Sequence, residues 1–210
     1  MKKIVALILV IITSYLLYFL RVLPPIPFSN EYFGIEPFIS SIDKDQDGID
    51  DQSDILNHVY DYIETKPKYE SKYYEGGYPN DEYGVCTDLV AIALKNAGYD
   101  LMELVNLDIL NHPDDYDIEI VDKNIDFRRV RNLMVYFKNH AISLTTDIND
   151  IDEWHGGDIV IFKEHIGILS SKRNYKGIPL LIHHGNPFQI RYEEDVLERY
   201  EILGHYRISE

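Results

Sequence analysis

Tyr83-Gly84-Val85-Cys86-Thr87-Asp88-Leu89-Val90-Ala91 is the stretch that decides how this chain is read. It carries the only cysteine in 210 residues. Downstream, Leu89, Ile92, Ala93 and Ala97 keep a helical apolar spacing that stops at Gly98, so the pattern predicts a helix with Cys86 at or just before its first turn. Gly84 before it lets the chain turn sharply. A helix amino terminus presents unpaired N–H groups and a positive dipole end, which lower a thiol's pKa. Free cysteine is also among the most buried residue types. The stretch alone therefore leaves two readings open, a poised nucleophile and a small core residue.

The carboxy-terminal half of the chain supplies partners for Cys86. Trp154-His155-Gly156-Gly157-Asp158 reads as a turn delivering a strand at Ile159–Phe162. Lys163-Glu164 reads as a tight turn, His165–Ser170 as the antiparallel return, Pro179–His184 as a third strand and Glu201–Ile208 as a fourth. The expected fold class is α+β, a helix bearing Cys86 packed on a mostly antiparallel sheet. His165 opens one strand and His183 lies on the next. A general base must reach the thiol and a further polar group must orient that base, and the order cysteine, histidine, polar residue allows both. With eight histidines in the chain, chance proximity is cheap, and the pair by itself is a weak signal.

Composition excludes several classes. A formal charge of −16 repels nucleic acid, so no nucleic-acid partner is expected. One cysteine forbids an intrachain disulfide. The uncharged run from Ile4 to Leu20, behind Lys2-Lys3, predicts an uncleaved signal anchor over residues 1–23, with Arg21 snorkelling and Val22 and Leu23 extending the span. No small-residue cleavage site follows the run, which makes secretion after signal cleavage the alternative. The lysines put the amino terminus in the cytoplasm and the body outside, anchored at the membrane. Residues 24–54 read as a Pro-rich spacer and an acidic loop, and residues 55–210 as the main domain.

The acidic loop places Asp43, Asp45, Asp47, Asp51 and Asp54 at positions one, three, five, nine and twelve, with Gly48 at six and the Ile49 carbonyl at seven. Calcium takes six to eight oxygens in this kind of array, so a structural Ca2+ held by these six residues is expected. The pattern resembles a thrombospondin type-3 calcium repeat. It departs from an EF-hand at position twelve, Asp54 in place of Glu. The alternative is a solvated acidic loop in which Asp54 caps the following helix, read from Ile55 to about Glu64. Further on, Leu101–Leu110 and a segment ending at His140 read as helices. Arg128, Arg129 and Arg131 stand out in an acidic chain, either paired locally or holding a substrate carboxylate.

Six ordered motifs join these pieces: Gly84-Val85-Cys86-Thr87-Asp88; Asn124-Ile125-Asp126 with Arg128-Arg129-Val130; Trp154 with Gly157-Asp158-Ile159-Val160; His165-Ile166-Gly167-Ile168; Ile182-His183; and Gly204-His205-Tyr206-Arg207. Together they resemble the bacterial DUF1287 family, grouped with NlpC-type papain-like cysteine peptidases, over about residues 55 to 208. The resemblance implies a papain-like fold with Cys86 as nucleophile, His165 as base and His183 as orienting residue. It also implies a cysteine hydrolase that cleaves an amide bond in peptidoglycan stem peptides through a thioester. His184 stands where asparagine is expected, and the sequence leaves open which of the adjacent histidines serves. Asp88 is assigned to the helix cap or to a substrate amine, and Arg128 or Arg129 to a stem-peptide carboxylate. The alternatives are a catalytically silent module that binds wall peptide or protein, and an acyl or amide transferase. A zinc site of Cys86 with these histidines matches no metal spacing.

Overall fold

The computed structural model describes residues 2–19, 24 and 26–210. Helices α1 (Lys2–Phe19) and α2 (Asp51–Glu64) are followed by two short strands, β1 (Lys68–Tyr69) and β2 (Tyr83–Gly84), that pair in parallel. Four more helices come next: α3 (Cys86–Asn96), α4 (Leu101–Asn111), α5 (Lys123–Asp126) and α6 (Val130–His140). The remaining strands are β3 (Ile142–Ser143), β4 (Ile159–Ile161), β5 (Ile166–Arg173), β6 (Pro179–Ile182), β7 (Glu193–Glu194) and β8 (Gly204–Arg207). They form one antiparallel sheet in the order β3-β8-β4-β5-β6-β7. The α+β expectation with an antiparallel sheet is met.

Both faces of the sheet are covered, and side-chain alternation along β4 shows how. Ile159 and Ile161 face a core shared with Leu89, Val90 and Leu94 of α3 and Ile55 and Val59 of α2. Val160 and Phe162 face a second core around Trp154, Leu169, Leu181 and Leu197. The β4–β5 hairpin closes tightly, Phe162 N–H donating to the His165 carbonyl at 2.8 Å, so Lys163-Glu164 is the turn that the sequence predicts. One buried carboxylate ties the layers together. Asp158 accepts from Arg207 Nε and Nη2 at 2.8 Å each, from Gln52 Nε2 at 2.9 Å and from the His155 N–H at 2.9 Å, with His205 Nε2 at 3.1 Å. Burial alone would raise its pKa, but the His205 and Arg207 contacts outweigh it and hold the carboxyl below the usual range.

Three expectations need correction. First, α1 is 18 residues long, about 27 Å at ~1.5 Å per residue, and it opens with two lysines, so its apolar part falls short of a ~30 Å hydrocarbon core. Among the described residues, no helix is long and apolar enough to cross a membrane. The expected extension through Arg21, Val22 and Leu23 lies outside the described residues. Second, the segment after the prolines is docked on the domain. Phe28 and Arg173 exchange backbone hydrogen bonds of 2.8 Å, Arg173 Nε donates to Asn30 Oδ1 at 2.6 Å, and Ser41 N–H donates to the Glu210 carbonyl at 2.6 Å. Residues 28–54 are thus part of the body. Third, α2 starts earlier than expected, with Asp50 as N-cap accepting from the Ser53 N–H at 3.2 Å, so Asp54 lies within the helix.

Candidate functional site

Cys86 is the first residue of α3, and its position is fixed from both sides. Val85 precedes it in extended backbone (φ −136°, ψ −178°), and the Asp88 carboxylate reaches back to accept the Val85 N–H at 2.9 Å. That bond satisfies one of the orphan donors of the helix start. Asp88 is fully buried and grips Arg128 with a two-point pair, Nε–Oδ1 2.6 Å and Nη2–Oδ2 2.9 Å. The rest of Arg128 is used as well: Nη1 donates to the Lys72 carbonyl at 2.6 Å, and the Arg128 carbonyl accepts from Thr87 Oγ1 at 3.1 Å. Of the two roles expected for Asp88 the structure shows the helix cap, and the Arg128 guanidinium is spent on Asp88 and the Lys72 carbonyl in place of the expected substrate carboxylate. A buried carboxylate demands a buried cation, and the two clamp the start of the helix. Arg129 is half-exposed and lies 3.7 Å from Asp126, away from this clamp. Gly84 is needed for space and not for an unusual turn, since a Cβ there would lie 2.4 Å from the Tyr62 hydroxyl.

Helix α3 packs on β5, which brings the thiol to the start of that strand. Cys86 is half-buried, and backbone N–H groups of Ile166 and Thr87 point at its sulfur. Burial pushes the thiol up to about 11, against the pull of those N–H groups. His165 immediately precedes β5. Its Nε2 lies 2.8 Å from His183 Nδ1, so the structure joins the two histidines expected from the sequence. Burial first, and then the neighbouring His183 and His184, lower His165 to about 3. Thiol and imidazole are thus both neutral near pH 7, which departs from the thiolate–imidazolium pair that a helix amino terminus alone suggests.

His183 and His184 come directly after the last residue of β6 and turn opposite ways. His184 is surrounded by tyrosines, with Nδ1 3.3 Å from the Tyr62 hydroxyl and its ring 5.3 Å from that of Tyr69 and 5.2 Å from that of Tyr192. Burial, then His183, lowers it to about 4. His183 keeps its second nitrogen among polar groups that the sequence did not flag: Glu194 Oε2 at 3.5 Å and Gln189 Nε2 at 3.4 Å. Gln189 also donates to the His183 carbonyl at 3.1 Å and accepts from the Gly185 N–H. These two residues come from a turn and a two-residue strand, and only the pairing of β6 with β7 reveals them. A cleft of about 540 Å³ opens here, lined by Phe162, His165, His183, Gly185, Asn186 and Tyr200.

The acidic loop lies apart from this site. Asp43, Asp45 and Asp47 bring carboxylate oxygens within 4.8 Å of one another. Gly48 turns there with φ +96°, as position six requires. The set of six is corrected at its far end. Asp51 accepts the Lys44 N–H at 2.8 Å and the Tyr99 hydroxyl, and Asp54 faces His58 Nε2 at 3.1 Å. Three carboxylates converge where five were expected. The Ile49 side chain is exposed, and its N–H donates to Asp47 Oδ1 at 2.8 Å.

Comparison with known proteins gives a family and no activity. Residues 57–208 match the family described as Domain of unknown function (DUF1287). The chain is similar to "Uncharacterized protein YijF" of Escherichia coli (strain K12), 38% identical over 151 residues, covering 67% of this chain and 72% of that protein. No solved structure matches.

Proposed function

This chain belongs to the DUF1287 family, and we propose that it is a cysteine hydrolase of NlpC-type, papain-like architecture that cleaves an amide bond in peptidoglycan stem peptides outside the cytoplasm. One observation carries the reading. The sole cysteine opens a buried helix with the Ile166 N–H at its sulfur, and the residue before Ile166, His165, holds its Nε2 2.8 Å from His183 Nδ1.

We assign the roles through one tautomer of the His165–His183 pair. If His183 Nε2–H is directed at Glu194, 3.5 Å away, Nδ1 of His183 is an acceptor. His165 Nε2–H then donates to it across 2.8 Å. That leaves His165 Nδ1 unprotonated, the tautomer a general base needs. As the Cys86 sulfur bonds to the substrate carbonyl carbon, its proton passes to His165 Nδ1. The same proton then goes to the leaving amine as the C–N bond breaks. Water, deprotonated by His165, attacks the resulting thioester and releases the acid and the thiol. Backbone N–H groups at the start of α3 would stabilise the oxyanion. An amine in place of water would give acyl transfer.

The test is turnover of a purified stem peptide followed by mass. Cys86→Ala is expected to abolish it with the fold intact, and hydrolysis retained by that variant would sink the proposal. One observation favours a second reading. A thiol pushed up to about 11 is what a structural cysteine shows, and absence of turnover in the wild type would move the binding-module reading to the front.

A further inference from the structure

A second cleft, of about 410 Å³, lies across the 185–189 turn from the one that opens on His165, and Asn186 lines both. Its wall includes Tyr69, Tyr83 and His184. Its charged lining is Lys66, Lys68 and Arg191, with no carboxylate. In a chain of 36 acidic and 20 basic residues that lining runs against composition. The His165 cleft, by contrast, carries Glu164 and Glu201 against Lys163. The two sides of the turn therefore differ in sign.

Two details mark the basic side as built. Lys66 sits just past the C-cap of α2 with φ +53°, in the left-handed region, its N–H donating to the Ile63 carbonyl at 3.1 Å. Helix geometry favours glycine at such a position, and a lysine there costs about 1 kcal/mol. Lys68 pairs with Glu82 at 2.7 Å, but both side chains are more than 60% exposed, so a ligand can compete for the cation. The cleft also adjoins the histidines: Tyr69 on its wall packs edge-on against His184 at 5.3 Å between ring centroids, and His184 follows His183 in the chain.

We infer that this cleft binds the carboxylate-bearing portion of an acidic peptide whose amide is presented to Cys86, through Lys66 with Lys68. The link to Cys86 rests on the hydrolase reading; the anion site itself does not. The test uses the full chain carrying Cys86→Ala, so that nothing is turned over. Fluorescence anisotropy compares dansyl-Ala-Ala-Glu, both carboxylates free, with the same peptide amidated at both. The acid is expected to bind at least about ten-fold more tightly, the effect of one charge-assisted contact, and to weaken with salt. Lys66→Gly removes the cation while suiting the backbone, so it should erase the preference with no loss of thermal midpoint. Lys66→Arg should keep the preference. Equal binding of acid and amide, no binding of either at millimolar peptide, or a preference that survives Lys66→Gly overturns the inference. Failure of turnover in the wild type would bear on the hydrolase reading alone.

Discussion

The ionisation of Cys86 can be measured without a substrate, because it is the only thiol in the chain. Burial raises it to about 11, while a free thiol titrates near ~8.5. At pH 7.4 the thiolate fraction is then roughly 0.03%, against roughly 7% for a free thiol, about a 300-fold difference. A more basic thiolate is intrinsically more nucleophilic, by about 0.4–0.5 log units per pKa unit, which returns about a factor of 13. Iodoacetamide should therefore label Cys86 on the order of 20-fold more slowly than free cysteine at pH 7.4, with a rate still rising past pH 9. His165 is neutral over this range, so His165→Ala should leave the profile nearly unchanged. The assay is a pH series of labelling rates read by intact mass, for wild type and variant. A plateau reached below pH 8 and lost in His165→Ala would refute the neutral-pair reasoning and establish a preformed ion pair.

The remaining predictions concern the clamp, the histidines and the loop. Arg128→Ala leaves Asp88 buried and charged, at a cost of about 3–5 kcal/mol and a fall in Tm of roughly 10 °C or more; a change under about 1 kcal/mol in urea unfolding would show that the pair does not clamp the helix. His165 is held neutral, lowered to about 3 from 6.5, so between those values the unfolded chain binds more protons and stability falls as pH drops from 6.5 towards 3. His165→Gln should shrink that fall between pH 7 and pH 4, and an unchanged fall would contradict the assignment. His183→Ala should reduce turnover far more than His184→Ala, since only His183 touches His165; the reverse order would move the orienting role to His184. For the acidic loop, calcium at ten times a millimolar-range dissociation constant is expected to add about 1.4 kcal/mol, a Tm rise of about 3–6 °C that Asp43→Asn removes. No shift with calcium would reduce the loop to a solvated acidic turn.

Much of the fold was legible in the chain because it depends on local periodicity. The apolar spacing after Cys86 pointed to a helix beginning at or just after it, and the apolar run Ile159–Phe162 to a strand, while the packing shows Cys86 as the first residue of α3 and both faces of that strand buried. Gly48 announced its own turn. Errors came where a partner distant in sequence decides. Asp88 was legible as a helix cap and Arg128 as paired or substrate-binding, yet that the two neutralise each other in the core from 40 residues apart was not. Asp51 read as a loop ligand, and Tyr99 and the Lys44 backbone claim it.

The sequence by itself determined which atoms are available for chemistry: one thiol, its place at a helix start, and a histidine opening the strand that comes after a tight turn. Residue type and short-range spacing suffice for that. Only the tertiary structure decided which of two adjacent histidines meets His165, that Glu194 and Gln189 stand behind it, and that the thiol and imidazole rest neutral. Those outcomes depend on burial and on pairings across the sheet, and both are properties of packing that no local pattern encodes.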